Sequence, residues 1–308
     1  MSRNNNIRIK SRISKSARSE EIAGYLFLLP NLLGVAGLIM VPVIGSLLLG
    51  FANWNLAEGL KGVTFAGFDN FQKLFTDVRF LTALKNNLIY TFTTVPITVV
   101  LAVILAAILN KAVYAKPVIR AMLFMPYVSS MVAVSVVWNV LLYPYDGPVN
   151  SILKSVFHIQ NPPGWFTDKD WAMVGLVILA VWYTVGYYMI ILIAGMQNIS
   201  SSYYEAAEID GANAWHKFRN ITVPIVSPTI FFVLIIATIN SFKVFDQIKI
   251  ITDGGPGYST TVLVYEIYRN AFGNYDFGYA SAISWVLFLL VLILTIVQFA
   301  SQKKWVHY

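Results

Sequence analysis

Six long segments of this chain contain no lysine, arginine, aspartate or glutamate. They span residues 24–51, 86–110, 121–142, 171–199, 221–242 and 277–302. Each is longer than the about 20 residues that an α-helix needs to cross the hydrocarbon core of a bilayer. Strands of a membrane barrel would instead alternate in polarity over segments of roughly ten residues. The pattern predicts an all-α integral membrane protein with six transmembrane helices.

The remaining sequence is too short for a second folded domain. Of the 308 residues, 57% are hydrophobic and 12% are charged, and the mean hydropathy is +0.65, which is more apolar than a water-soluble protein of this size requires. We expect a basic tail at 1–23, one six-helix domain at 24–302 and a short tail at 303–308. The chain has no cysteine, which excludes disulfides, thiolate metal sites and cysteine nucleophiles.

Lysine and arginine are distributed unequally between the two sides of the predicted helices. With the amino terminus inside the cell, the inner segments hold thirteen of these residues and the longer outer loops hold eight. Positively charged loops stay on the cytoplasmic side, whereas acidic residues contribute little to orientation. Both termini and the loop at 200–220 are therefore predicted to be cytoplasmic. The net charge of +7 is mostly this bias, and it favours contact with anionic lipid over nucleic-acid binding.

A polar loop rich in small residues lies between the fourth and fifth predicted helices. Ser202 and Glu205 fit a capping box, in which both side chains bond to backbone amides at the start of a helix. Gly211 is expected to interrupt this helix, because glycine adopts a left-handed backbone and lets another chain approach closely. A second short helix over 212–220 would follow. The pair is predicted to dock in a groove of a soluble partner.

The spacing in this loop resembles the signature of the permease subunits of binding-protein-dependent ABC importers. The matching residues are Glu205, Ala206, Ala207, Gly211, Ile221 and Pro224. Val223 stands where that family usually has leucine, which is a conservative departure. Segments 26–30, 120–126, 245–248 and 252–256 are similar to the sugar-uptake group of these permeases, whose members carry maltose, glycerol 3-phosphate or oligosaccharides.

This resemblance implies a type I ABC importer permease fold and a set of partners. The loop, including Asp210, would be the coupling helix that docks on an ATPase. Such permeases work in the bacterial cell membrane as a heterodimer of two homologous subunits, with two cytoplasmic ATPases and an extracellular or periplasmic solute-binding protein. The chain would then be no enzyme and hold no cofactor, because ATP and Mg²⁺ bind to the ATPases. It also lacks the G-x-x-x-x-G-K-[ST] loop that binds nucleotide phosphates.

Polar and aromatic residues of the fourth and fifth predicted helices are the candidates for a sugar path. A neutral sugar requires hydroxyl and amide partners and aromatic faces. The resemblance places such contacts near Tyr183, Thr184, Tyr187, Asn240, Ser241 and Val244. The same residue types also form hydrogen bonds between membrane helices, and this alternative stays open. Lys243 and Asp246 are expected to pair near the membrane surface as an anchor.

Two other functions compete with the ATP-driven importer. An ion-coupled secondary transporter would carry carboxylates or histidines within its spans, and a membrane-embedded enzyme would need similar groups. The six charge-free segments contain no histidine either, and the three histidines of the chain have no metal-ligand spacing. We therefore interpret the chain as an importer permease for an oligosaccharide, with a polyol or a glycerol phosphate as the alternative cargo.

Overall fold

The computed structural model describes residues 15–110 and 115–306. Most of the expected basic tail, Lys111 and the last two residues lie outside this range. The chain divides into two units, residues 1–49 and 50–308, and each is described by itself. Five described helices are long and apolar enough to cross a membrane, and a bent pair of shorter helices makes a sixth crossing if it is counted as one.

The first unit contains one long apolar helix with a local widening. α1 (Lys15–Val35) continues through a π-helical turn (Ala36–Met40) into α2 (Val41–Gly50). The Val41 amide bonds to Ala36 O, one residue further back than in an α-helix. Pro42 follows directly, and the wider turn relieves the clash between a proline ring and the carbonyl one turn earlier. None of the described side chains from 20 to 49 is buried, although a few are half-buried, and so little burial is typical of an apolar helix that lipid or another subunit covers.

The second unit begins with a small hairpin. β1 (Ala52–Asn53) pairs antiparallel with β2 (Thr64–Phe65), so that Ala52 lies opposite Phe65. The buried side chain of Asn70, in α3 (Asp69–Leu74), donates to the carbonyls of Gly50 and Ala52. These bonds join the hairpin to the helices that follow.

The other helices of the second unit alternate between long spans and short connecting elements. In chain order they are α4 (Val78–Asn110), α5 (Lys116–Val128), α6 (Met131–Leu141), α7 (Pro148–Ser155), α8 (Ala172–Met196), α9 (Ser201–Ile209), α10 (Ala214–Lys217), α11 (Val223–Phe242), α12 (Leu263–Tyr268) and α13 (Phe277–Gln302). α4 begins at Val78, ahead of the charge-free segment from which it was predicted, and its first turns therefore contain Arg79 and Lys85.

The helices α4, α8 and α11 form the centre of the bundle. Ala102 and Ala106 of α4 belong to one buried cluster with Met189 of α8 and Val233 of α11. A side chain at Gly186 of α8 would collide with the backbone of α5, so the two helices touch through their main chains. Small residues at such crossings are typical of membrane helices, since lipid provides no hydrophobic force to drive their association.

The third charge-free segment is not one helix, and the prediction for 121–142 was wrong in this respect. α5 and α6 are separated by Ser129 and Ser130 and bent by 100°. Both serines have extended backbones, with ψ of 150° and 126°. Counting apolar residues measures whether a segment is long enough to span a bilayer, but it does not test whether the helix is continuous.

Buried amides hold the loops at the end of the bundle where α4 begins, which we call the Asn86 end. Asn86 donates to the carbonyls of Tyr258 and Thr261 at 2.9 and 3.0 Å. Asn150 is fully buried; it donates to Pro144 O and Pro163 O and accepts a hydrogen bond from the indole of Trp165. α9 and α10 lie at the other end, which we call the Gly211 end.

Candidate functional site

The signature residues form a short helix, a glycine turn and a second short helix. α9 ends at Ile209, and Gly211 follows with φ of +76° and no atom within 4 Å of the place that a Cβ would occupy. The predicted left-handed glycine is therefore present. The predicted capping box is wrong, because Ser200 is the N-cap and its hydroxyl accepts from the Ser202 amide at 3.4 Å. The helix begins one residue before Ser202, so Glu205 is too far along it to complete the box.

Two side-chain contacts connect α9 to the elements after Gly211. Glu208 and Lys217 form an ion pair of 2.6 Å, and the hydrogen bond and charge of Lys217 lower the pKa of the Glu208 carboxyl. The hydroxyls of Tyr204 and Thr222 share a hydrogen bond of 2.9 Å. Among the described residues, these are the side-chain hydrogen bonds and ion pairs that join α9 to residues 212–222.

Most of the signature faces away from the protein. Glu205, Ala206, Asp210 and Gly211 are exposed, whereas Ala207, Ile221 and Pro224 are half-buried. Ile209 is 88% exposed and Trp215 is 61% exposed. Large apolar side chains beside exposed carboxylates, on a short helix with few internal contacts, are typical of a surface that another protein covers.

α10 continues into α11 without interruption. A π-helical turn (Phe218–Thr222) connects the two helices, and the Val223 amide bonds to Phe218 O directly before Pro224. The same arrangement, a π-helical turn followed by one residue and then a proline, occurs at Pro42. Pro224 does not interrupt this helix, because residues 214–242 form one apolar helical segment. A displacement of α10 would therefore be carried directly into α11.

A cavity of about 440 Å³ lies among α4, the break between α5 and α6, α8 and the end of α11. We call it the central cavity. It is lined by Tyr90, Thr94, Val95, Thr98, Tyr127, Met131, Ala180, Tyr183, Thr184, Tyr188, Ala237, Asn240, Ser241, Lys243, Val244, Phe245, Asp246 and Gln247. Five of the six residues expected on the sugar path are in this set. The sixth, Tyr187, is not; its ring stacks on that of Tyr127 at 4.1 Å.

The break between α5 and α6 forms one wall of the central cavity. A broken membrane helix leaves backbone carbonyls that need donors, unless water reaches them. The hydroxyl of Tyr183 is close to two of them, 3.2 Å from Tyr127 O and 3.0 Å from Ser129 O. Ser129 Oγ donates to a third, Met125 O. Tyr183 therefore has a structural role at the break as well as a place in the cavity lining.

Sequence reasoning missed the wall that α4 contributes. Thr98 is 1% exposed and its hydroxyl has no hydrogen-bond partner. Thr94 lies one turn earlier on the same wall. Burying an unsatisfied hydroxyl costs free energy, so Thr98 is a candidate for contact with a polar ligand. The i, i+4 spacing of the two threonines was the available signal, but α4 carries other threonines as well.

The expected pair of Lys243 and Asp246 does not form an ion pair among the described residues. α11 ends at Phe242, so the two residues do not share a helix face. Both side chains instead line the central cavity, where they add one positive and one negative charge to a surface of hydroxyl, amide, aromatic and aliphatic side chains.

Comparisons with known proteins agree with this arrangement. Residues 77–307 match the family described as binding-protein-dependent transport system inner membrane component. The lactose transport system permease protein LacF of Rhizobium radiobacter is 36% identical over 296 residues, covering 94% of this chain and 97% of that protein. The sn-glycerol-3-phosphate permease protein UgpA of Agrobacterium fabrum is 34% identical over 253 residues, covering 82% and 85%.

A solved structure has the same fold. It is the crystal structure of a bacterial alginate ABC transporter in complex with an alginate pentasaccharide-bound periplasmic protein, and one of its chains superposes with a TM-score of 0.81 at 22% identity. The match covers 94% of this chain and 96% of that one. The expected type I importer permease fold is confirmed. The chain thus belongs to the family of binding-protein-dependent transport system inner membrane components, as a multi-pass permease subunit of the sugar ABC importers.

Proposed function

We propose that the chain moves a neutral oligosaccharide into the cell through the central cavity by alternating access. A second homologous permease would complete the pathway, two ATPase subunits would drive it, and a solute-binding protein outside the membrane would deliver the sugar. ATP and Mg²⁺ would bind to the ATPases, and this chain would hold no cofactor. The Gly211 end and both termini would face the cytoplasm, and the first helical unit would face lipid or the second permease.

The exposure of the signature loop is the observation that carries the ATPase part of this proposal. Ile209 is almost fully exposed next to the carboxylate of Asp210, and the left-handed turn at Gly211 leaves space for another chain. An apolar side chain in that position gains free energy when a partner covers it. The uninterrupted helix from α10 to α11 gives a route by which closure of the ATPases would rock the bundle.

The composition of the central cavity favours a sugar. Its volume of about 440 Å³ is within the range of about 300–1,000 Å³ common for small-molecule sites. Hydroxyls of Thr98, Thr184 and Ser241 and the amide of Asn240 line it beside tyrosine rings. Sugars present hydroxyl groups that pair with such side chains and apolar ring faces that pack on aromatic ones.

A glycerol phosphate is the competing cargo, and one lining residue favours it. Lys243 is a cation at the cavity, and three similar proteins are named as sn-glycerol-3-phosphate permeases. Phosphate sites usually combine several cations or a bidentate arginine. The described lining residues include a single lysine and no arginine, and Asp246 lies on the same surface. The charge of the cavity therefore favours a neutral solute.

Reconstitution of the complete transporter tests the proposal. The chain would be placed in proteoliposomes with a candidate second permease, ATPase and solute-binding protein. Uptake of labelled lactose, maltotriose and glycerol 3-phosphate would be measured with ATP inside, with and without a proton uncoupler. We expect uptake of a neutral sugar that requires the ATPase and persists with the uncoupler. Uptake that survives omission of the ATPase contradicts the proposal, and preference for glycerol 3-phosphate contradicts the assignment of the cargo.

A further inference from the structure

We propose that the hydrogen bond between Tyr204 and Thr222 transmits the displacement of α9 to α11, so that both are positioning residues for energy coupling. The proposal rests on the proposed docking of an ATPase on α9. It adds the pair of side chains through which the motion of the docked helix reaches the bundle. Neither residue belongs to the signature that identifies the loop.

The position of the two side chains supports this role. Tyr204 is half-buried on the side of α9 that faces the bundle, and Thr222 is 7% exposed. Their hydroxyls are 2.9 Å apart. Thr222 is the last residue of the π-helical turn that connects α10 to α11. The bond therefore connects the docked helix to the π-helical turn through which α10 continues into α11.

Packing against α4 does not supply an alternative route. A cavity of about 1050 Å³ lies between the end of α4, at Ile104 and Ile108, and the loop elements that carry Tyr204 and Phe218. Side chains on opposite walls of a gap of this size do not pack against one another across it, so contact between α9 and this part of α4 is limited.

Two other kinds of connection run from α9 to residues 211–222. The backbone passes through Gly211, whose left-handed conformation in open space is one that glycine can leave without a steric cost, and the Gly211 and Ala212 amides donate to Glu208 O and Ala207 O across this turn. The ion pair of Glu208 and Lys217 has one exposed partner, since the Glu208 side chain is 65% exposed and that of Lys217 is 20% exposed, and water screens an exposed charge. The partly buried Tyr204–Thr222 bond is the one of these connections that reaches the π-helical turn directly before α11.

Three substitutions in the complete transporter test the inference. Tyr204→Phe and Thr222→Val each remove the bond and keep the shape of the side chain, and Thr222→Ser keeps the hydroxyl. The ratio of ATP hydrolysed to sugar imported, the KM for the sugar and the amount of co-purified ATPase would be measured. We expect the first two variants to raise the ratio by about fivefold, the factor that one net hydrogen bond corresponds to. KM and ATPase binding should not change, and Thr222→Ser should keep the wild-type ratio.

Two controls distinguish failure of this inference from general damage to the protein and from failure of the proposed function. Tyr203→Phe makes the same change at the neighbouring, 58% exposed tyrosine of α9, and it should keep the wild-type ratio. The double variant should be no worse than either single variant, because both remove one interaction. A wild-type ratio in Tyr204→Phe and Thr222→Val overturns the inference, and so does a loss of ATPase binding in step with the loss of uptake. Failure of the wild-type chain to bind an ATPase would instead refute the proposed function.

Discussion

The two ends of the bundle are built differently. At the Asn86 end, polar side chains join segments that are distant in the chain: Asn86 donates to the carbonyls of Tyr258 and Thr261, and the Asp77 carboxylate accepts from Tyr279 of α13 at 2.6 Å. At the Gly211 end, two side-chain contacts and the backbone turn at Gly211 join α9 to the described residues after it, and Ile209 is exposed. The first end pairs most of its buried polar groups within the chain, with Asn87 Nδ2 and Ser259 Oγ as exceptions, and the second leaves a large apolar side chain uncovered.

Because of this difference, we assign stability to the Asn86 end and energy coupling to the Gly211 end. Buried polar groups that bond across the chain are costly to disrupt, because each broken contact leaves a group without water or partner. Exposed residues of a short helix contribute little to the folded state, so they are free to serve a partner. We therefore expect substitutions at the Asn86 end to change the free energy of unfolding, and substitutions at the Gly211 end to change transport.

The largest expected effect on transport comes from substituting a glycine whose backbone is in the left-handed region. Gly211 and Gly257 have φ of +76° and +57°, and at both a Cβ would meet no atom within 4 Å. Leucine at either position costs about 1–2 kcal/mol of backbone strain. Gly211→Leu also places a bulky side chain on the proposed docking surface, so ATP-driven uptake should fall to background. Gly257→Leu should be as destabilised and still transport. Equal uptake by the two variants in proteoliposomes would argue against a docking role for the Gly211 turn.

Asn150 tests the stability of the Asn86 end. Asn150→Leu removes two donors and one acceptor from a fully buried site and leaves the Trp165 indole and two carbonyls without partners. We expect the free energy of unfolding to fall by about 3 kcal/mol. Denaturant unfolding in detergent, followed by tryptophan fluorescence, measures the change. Asn110→Leu, at the Gly211 end, serves as the control and should shift the midpoint by much less. Similar losses at both ends would remove the distinction between them.

Substitutions at two threonines of α4 should have smaller effects, one on sugar binding and the other on stability. Thr98→Val removes a hydroxyl that has no partner in the folded chain, so stability should not fall while the KM for the sugar rises by about fivefold. Thr91→Val removes the bond to Ser241, so stability should fall by about 1 kcal/mol while KM stays constant. Measuring the KM for uptake and the free energy of unfolding of both variants tests these two expectations. An unchanged KM in Thr98→Val would remove Thr98 from the sugar path.

The sequence predicted those features that depend on local chemistry. Long charge-free segments identify α4, α8, α11 and α13, because crossing lipid requires apolar side chains along the whole length. The turn at Gly211 followed from glycine's access to positive φ. The grouping of Tyr183, Thr184, Asn240, Ser241 and Val244 around one cavity matches the expected region, although their contact with a sugar stays a prediction.

Features that depend on the packing of distant segments were not predictable in the same way. The break at Ser129 and Ser130 is held by a hydroxyl from α8, which lies more than fifty residues later. The choice of Ser200 as N-cap depends on the direction from which the chain enters α9, since three consecutive serines have the same capping ability. The orientation of Thr98 towards a cavity depends on which helices surround α4.

The smallest effect is expected at the Glu208–Lys217 ion pair. Lys217 lowers the pKa of Glu208, so the contribution of the pair is present above the unfolded pKa of about 4.3 and is lost as the pH falls through the folded value. Between pH 5 and 8 the pair stays charged and should leave uptake constant. Glu208→Gln should change the ratio of ATP hydrolysed to sugar imported less than about twofold, because exposed ion pairs are weak. If this variant uncouples as strongly as Thr222→Val, the ion pair holds α9 in place, and the Gly211 end depends on surface charge rather than on the hydrogen bond between Tyr204 and Thr222.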